Sequence, residues 1–185
     1  MMWRNSLVVV LFFCASGAAR AAGILDLNIN NDVAELKWGT SVGTGQLSFG
    51  GIYHDLSHDW LAYAGFLGRG EGGTSVGRTE AGIGGRVYGG PLGANDLLAV
   101  ALGGEFTVYP SNGNIGVGGY GYYAPNVLSM RRVTRFWDAG LRVEFEVIKR
   151  TGYVYLGYRQ IRGNLDVGTD VDFDRSGQIG MRIAF

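Results

Sequence analysis

Residues 136–149 constrain the fold more than any other stretch of the chain. Every second residue from Trp137 is apolar: Trp137, Ala139, Leu141, Val143, Phe145 and Val147. Between them stand Phe136, Asp138, Gly140, Arg142, Glu144, Glu146 and Ile148, which carry charges of both signs. Successive side chains of a strand point to opposite faces, so this pattern predicts a β-strand with one greasy and one charged side. The greasy side must meet either the dry centre of a two-sheet sandwich or the hydrocarbon of a bilayer.

Glycine extends the argument to the whole chain. There are 33 glycines against 3 prolines in 185 residues, well above the usual glycine share of about 7%. They follow no G-X-Y period, which excludes collagen, and they are scattered through apolar segments. At about 1 kcal/mol per interior glycine, long amphipathic helices are excluded as well. The fold is expected to be all-β and, at this length, one domain. Lys plus Arg and Asp plus Glu are 16 each, so no basic excess calls for nucleic acid.

The N-terminus reads as a targeting segment. Arg4 supplies the positive charge, residues 7–13 the apolar stretch, and Ala19-Arg20-Ala21 an A-x-A cleavage site. Residues 1–21 are therefore expected to be a signal peptide cleaved after Ala21, leaving 22–185 as the mature barrel. Cys14 leaves with the signal, so no disulfide holds the mature chain. Losing Arg4 and Arg20 lowers the 16 basic residues to 14 against 16 acidic ones, a net charge of −2. No later segment has the roughly 18 apolar residues in a row that a spanning helix needs.

Strand patterns recur to the end. Residues 25–38 read as a hairpin turning at Asn31-Asp32, which opposes Ile29 with Ala34, Leu27 with Leu36 and Leu25 with Trp38, and Asp26 with Lys37 on the other face. Residues 46–54, 60–69, 78–88, 97–109, 114–124, 136–149, 153–165 and 176–185 follow. Facing is ambiguous in 60–69 and in 114–124, where Tyr120, Tyr122 and Tyr123 fit either side. Residues 70–77, 89–95, 125–134 and 166–174 read as turns or loops. That makes ten strands, most near the ten residues a tilted strand needs to cross hydrocarbon. An alternative of eight leaves the first hairpin outside the wall.

Three features favour a transmembrane antiparallel β-barrel over a secreted soluble β-sandwich. The polar-face charges are sparse and mixed in sign, as suits a narrow lumen where they pair: Glu80, Arg86, Glu105, Asp138, Arg142, Glu144, Glu146 and Arg182. Aromatics fall near strand ends, at Trp38, Tyr53, Trp60, Tyr109, Trp137 and Phe185, where interface girdles belong. The last strand alternates Ile179, Met181, Ile183 and Phe185, and resembles the terminal signal by which barrel-assembly machinery accepts a barrel.

Six stretches stand out: Leu25-Asp-Leu-Asn-Ile-Asn-Asn-Asp32, Leu102-Gly-Gly-Glu105, Gly118-Gly-Tyr-Gly-Tyr-Tyr-Ala-Pro-Asn-Val-Leu128, Gly140-Leu-Arg-Val-Glu144, Tyr155-Leu-Gly-Tyr-Arg159 and Gly180-Met-Arg-Ile-Ala-Phe185. Through them the mature sequence resembles the YfaZ family of bacterial outer-membrane proteins. The resemblance implies a small barrel in a Gram-negative outer membrane and brings no catalytic residues with it.

Few constellations suggest chemistry. His54-Asp55-Leu-Ser57-His58-Asp59 holds both histidines and could serve a metal or a lipid-modifying hydrolase, though a loop tip holds a catalytic set loosely. Asp166, Asp170, Asp172 and Asp174 fail the EF-hand pattern because Arg175 stands at the glycine position, but they could bridge divalent cations to lipopolysaccharide. Arg142 and Arg159 with Glu144 and Glu146 could line a pore or form an ion-paired plug. The expectation is a porin-like barrel with a largely filled polar lumen, structural or narrowly conducting. It has no catalytic, cofactor-binding or metal residues, is monomeric, and has outer-membrane lipid, lipopolysaccharide and the assembly machinery as partners.

Overall fold

The computed structural model describes residues 23–74, 77–92, 95–110, 113–131, 133–166 and 170–185, so the expected signal peptide lies outside the described residues. Eleven strands follow in order: β1 (Gly23–Ile29), β2 (Val33–Val42), β3 (Gly45–His54), β4 (Trp60–Thr74), β5 (Gly77–Leu92), β6 (Asn95–Pro110), β7 (Ile115–Ala124), β8 (Ser129–Arg131), β9 (Val133–Ile148), β10 (Gly152–Leu165) and β11 (Asp170–Ala184). Each long strand pairs antiparallel with its sequence neighbours, β7 with β9 across the short β8, and β1 with β11. The ring of ten therefore closes on itself, while β8 adds three residues against Leu97, Leu98 and Ala99 of β6. A closed ring leaves no unpaired sheet edge in the wall.

Closure rules out the two-sheet sandwich, and the first hairpin belongs to the wall, which rules out eight strands. That hairpin has the expected register, with Leu27 opposite Leu36 and Leu25 opposite Trp38. Its turn is fixed by the Asn30 Oδ1 atom, which accepts from the Asp32 and Val33 amides at 2.8 and 2.7 Å.

Several expected loops turn out to be strand. The glycine-rich residues 70–74 and 77 extend β4 and β5, because Thr74 pairs with Gly77 and Gly72 with Thr79. Glycine lowers strand propensity, but the continued β4–β5 ladder overrides it. Likewise β5 runs through Pro91 to Leu92, β9 already includes Thr134, and β11 begins at Asp170, so Asp170 and Asp172 are strand residues. Residues 126–128 form one 3-10 turn.

The outward face is apolar on every long strand. Ile83 is 79% exposed and Leu102, Leu141 and Leu156 are all above 60%. The ambiguous strands resolve with Trp60 and Phe66 outside and Leu61, Tyr63 and Leu67 inside, and with Tyr123 outside and Tyr122 inside. Tyr109, expected in an interface girdle, is inside and buried. Ile148 faces out because a bulge at Val147 shifts the β9–β10 register.

Gly23, the first described residue, and Phe185 lie at one end of the barrel, where they exchange backbone hydrogen bonds of 2.6 and 2.9 Å. The opposite, loop end is filled by an apolar layer that includes Val33, Ile52, Leu61, Leu97, Phe136, Ile161 and Phe173. Ile52, which broke the polar alternation of its strand, has its explanation here.

Inward glycines make room for tyrosines that lie against the wall. Gly180 pairs with Tyr155 across the β10–β11 ladder, and a Cβ at Gly180 would sit 2.2 Å from the Tyr155 Cζ. Gly50 stands in the same relation to Tyr63. Gly180→Leu must lift the Tyr155 ring off the wall and break its hydrogen bond to Asp26, so a stability loss of about 3 kcal/mol is expected in urea unfolding of the vesicle-inserted barrel. Gly51→Leu, at a neighbouring position with open space around it, should cost much less.

Candidate functional site: the charged lumen

The alternation that turns apolar residues outward sends an equally regular set of charges inward, where they form a lattice of three groups. Nearest the terminal end, Arg182 bonds Glu144 at 2.8 Å and the Tyr109 hydroxyl at 3.2 Å, and the Tyr109 hydroxyl also donates to Glu144. Arg142 reaches the other Glu144 oxygen at 3.1 Å and approaches Asp26 at 3.9 Å. Arg78 pairs with Glu80 at 3.3 Å and approaches Glu146 at 3.9 Å, with its guanidinium over the Tyr109 ring.

Halfway along the axis, Glu105 gathers three cations. Arg86 bonds it directly, and Lys37 and Arg69 stand at 3.3 and 3.5 Å. The Tyr122 hydroxyl adds a fourth contact at 3.3 Å, and its ring lies 3.9 Å from the Arg86 guanidinium. The other side of Arg86 approaches Asp138 at 3.7 Å, which also accepts from the Tyr88 hydroxyl at 2.8 Å.

Against the apolar layer sits Arg159, whose side chain is completely buried. It donates to Glu35 through Nη1 and to Asp174 through Nε at 2.8 Å, and its Nη2 lies 2.7 Å from the same Asp174 oxygen in an ion pair. Glu35 also accepts from Tyr63 at 2.5 Å and Asn28 at 2.7 Å. Asp174 also accepts from Ser176 at 2.6 Å.

All eight charges singled out in the sequence, Glu80, Arg86, Glu105, Asp138, Arg142, Glu144, Glu146 and Arg182, take part in these contacts. The sequence reading also named Arg159, but it missed Asp26, Glu35, Lys37, Arg69, Arg78 and Asp174. Asp26, Glu35 and Lys37 belong to the hairpin that the eight-strand alternative set outside the wall. Asp26 and Lys37 are opposite in register, yet Lys37 pairs across the lumen with Glu105 while Asp26 takes Tyr155 at 2.5 Å. Asp174 was placed in a loop, but a register shift beside Ile161 turns it inward. Three carboxylate-binding tyrosines had a usable signal: Tyr63, Tyr122 and Tyr155 face Gly50, Gly103 and Gly180 on the next strand, whereas Tyr88 faces Tyr63 and Ala99.

Little free space remains. The lattice encloses cavities of about 30 and 40 Å³, the first lined by Asp26, Asn28, Glu35, Lys37, Glu105 and Gln178. A vestibule of about 300 Å³ opens at the terminal end beside Arg69, Arg78 and Arg182.

The other candidates do not assemble. In the 54–59 turn, His54 Nδ1 accepts from the Ser57 amide at 3.4 Å and Ser57 Oγ accepts from the Asp59 amide at 3.4 Å, so no imidazole faces the hydroxyl as a base. Asp174 points into the lumen, while Arg162 engages Asp172 and Asp170 on the outside. Among the described residues, no three His, Cys, Asp or Glu side chains form a metal cluster.

No curated protein matches the sequence. Among solved structures, the outer membrane channel DcaP of Acinetobacter baumannii matches with a TM-score of 0.40 and 12% identity, over 86% of this chain and 54% of that one. This chain thus spans about half the length of that channel. The family described as YfaZ precursor matches over residues 2–185, so the chain belongs to the YfaZ family.

Proposed function

We propose that the protein is an outer-membrane barrel without an open pore, a structural element whose lumen is filled by its own side chains. One observation carries this reading. Ile52, Leu61, Tyr88, Phe136, Arg159 and Ile161 are 0–1% exposed and together close the barrel between the charged lattice and the loop end. The enclosed cavities of 30 and 40 Å³ hold one or a few waters each, too little for a continuous aqueous path. An interior only slightly wider than that of an eight-stranded barrel is readily filled this way.

The exposed apolar girdle supports a lipid environment, since soluble monomers rarely expose such continuous greasy surface. Connections at the terminal end are short, and the longest, residues 125–132, is at the loop end. Short periplasmic turns and longer outer loops then put both termini in the periplasm. The outward Ile179, Met181, Ile183 and Phe185 form the edge offered to the assembly machinery before β1 pairs with β11. A ring with every edge paired works as a monomer.

Planar-bilayer recording tests the plug. The unaltered protein should give no discrete conductance steps, whereas Tyr88→Ala/Phe136→Ala, which thins the sealing layer, should give small ones. Sustained steps from the unaltered protein would replace this reading with a narrow channel.

A further inference from the structure

We infer that the outward face of β9, β10 and β11 at the loop end carries a binding site for the phosphate groups of an outer-leaflet glycolipid, built on Arg135, Arg162 and Arg175. The inference rests on the membrane orientation proposed above and adds a partner to it.

The register of the three strands sets out the site row by row. From the middle of the barrel outward the rows are Val143–Leu156–Ile179, Leu141–Tyr158–Gly177, Ala139–Gln160–Arg175, Trp137–Arg162–Asp172 and Arg135–Asn164–Asp170. The first two rows are apolar or aromatic. Each of the next three brings one arginine, on β11, then β10, then β9. Diagonal neighbours on adjacent strands lie about 7–8 Å apart, so the three guanidiniums form a continuous ladder starting where the apolar girdle ends.

Among the other residues at this end whose side chains are described, the strands and turns present Asp32, Asp55 and Asp59 outward and no Lys or Arg.

The ladder is also internally organised. Arg162 bonds Asp172 at 2.5 and 3.1 Å and Asp170 at 3.3 Å, which holds the middle rung in place and occupies both carboxylates. No ion pair reaches Arg135 or Arg175 among the described residues; Arg175 Nε donates to the Tyr158 hydroxyl at 3.1 Å. Two arginines are thus left with free donors on either side of a centre in which Arg162 offsets one of the two carboxylates it holds. Guanidinium suits phosphate because its planar fork bonds two oxygens at once.

The surface just below fits the rest of such a lipid. Gly177 lies beneath Arg175 on the same strand and beside Tyr158, with no side chain of its own to cover the wall there. An acyl chain lying over Gly177 would bring its headgroup to the arginines. Arginine meets the phosphate directly here, whereas bridging by a divalent cation would need the aspartates that Arg162 already holds.

Lipid binding can be counted by native mass spectrometry on the detergent-solubilised barrel, using bis-phosphorylated lipid A and its fully dephosphorylated form, each with and without EDTA. The unaltered protein should retain the phosphorylated lipid in EDTA. Arg135→Ala/Arg175→Ala should weaken it about tenfold, or 1.4 kcal/mol, and leave binding of the dephosphorylated form unchanged. Lys149→Ala, at the far rim, should match the unaltered protein. Equal retention by the double variant, equal loss of both lipids, or loss from the unaltered protein in EDTA would each overturn the site. Heat-modifiable mobility and insertion into vesicles are measured on the same samples. A chain that stays in the aqueous phase refutes the membrane reading itself, whereas an inserted barrel indifferent to phosphate refutes only the site.

Discussion

Arg159→Ala is expected to lower the unfolding free energy of the barrel by about 3–5 kcal/mol, because it leaves two buried carboxylates uncompensated. Glu35 and Asp174 both depend on this side chain, and it is 0% exposed. The measurement is urea unfolding of the vesicle-inserted protein, followed by tryptophan fluorescence. Arg159→Met combined with Glu35→Gln and Asp174→Asn removes the charges together and should recover most of the loss, since replacing a whole buried ion cluster is often neutral. A loss below about 1 kcal/mol for the single change would mean that water reaches the pair, as at an exposed salt bridge. The lumen would then be wet at its narrowest level, and the plug would have to be abandoned.

The same residue shows how far the sequence could be read. Strand number and most facings followed from period-two patterns, because the inside of a barrel and its lipid face differ in the chemistry they tolerate. Residues 136–149 and 176–185 are clear cases, where charge or glycine alternates with large aliphatics. In β10 the signal weakens: Tyr153, Tyr155 and Arg159 face in while Val154, Leu156 and Tyr158 face out. Tyrosine suits both an interface girdle and a buried carboxylate, so it carries no facing information until its cross-strand neighbour is known. Tyr109 was misplaced for this reason.

Long-range partners were less legible still. Which charges face inward is a local property of each strand, but which of them meet depends on how the ring closes. Arg159 is 124 residues from Glu35, and they touch only because β1 joins β11. The loops were misjudged for a related reason. Residues 70–77 have the composition of a flexible segment, but Gly70, Gly72, Gly73 and Gly77 all have ladder partners in the β4–β5 pair. The polar lattice and the apolar layer above it divide the work between them: the first sets which side chains must meet, and the second keeps water from loosening them.

Leu156→Arg separates a lipid-bathed wall from a water-bathed one. Leu156 is 66% exposed, in the row Val143–Leu156–Ile179 near the middle of the greasy girdle. On a soluble protein an arginine at so exposed a position would change stability by no more than about 0.5 kcal/mol. In a bilayer the guanidinium must be drawn toward the headgroups or carry water in with it, at a cost of about 2–4 kcal/mol near the midplane. The cost should fall to about 0–1 kcal/mol for Gln160→Arg, two rows nearer the loop end, where the protein already places Arg175 opposite. Urea titration of both variants in vesicles gives the comparison directly, and equal, near-zero losses would remove the hydrocarbon from the outside of this barrel. The depth dependence matters more than either value, because a folding defect common to both substitutions would not vanish between one row and the next but one.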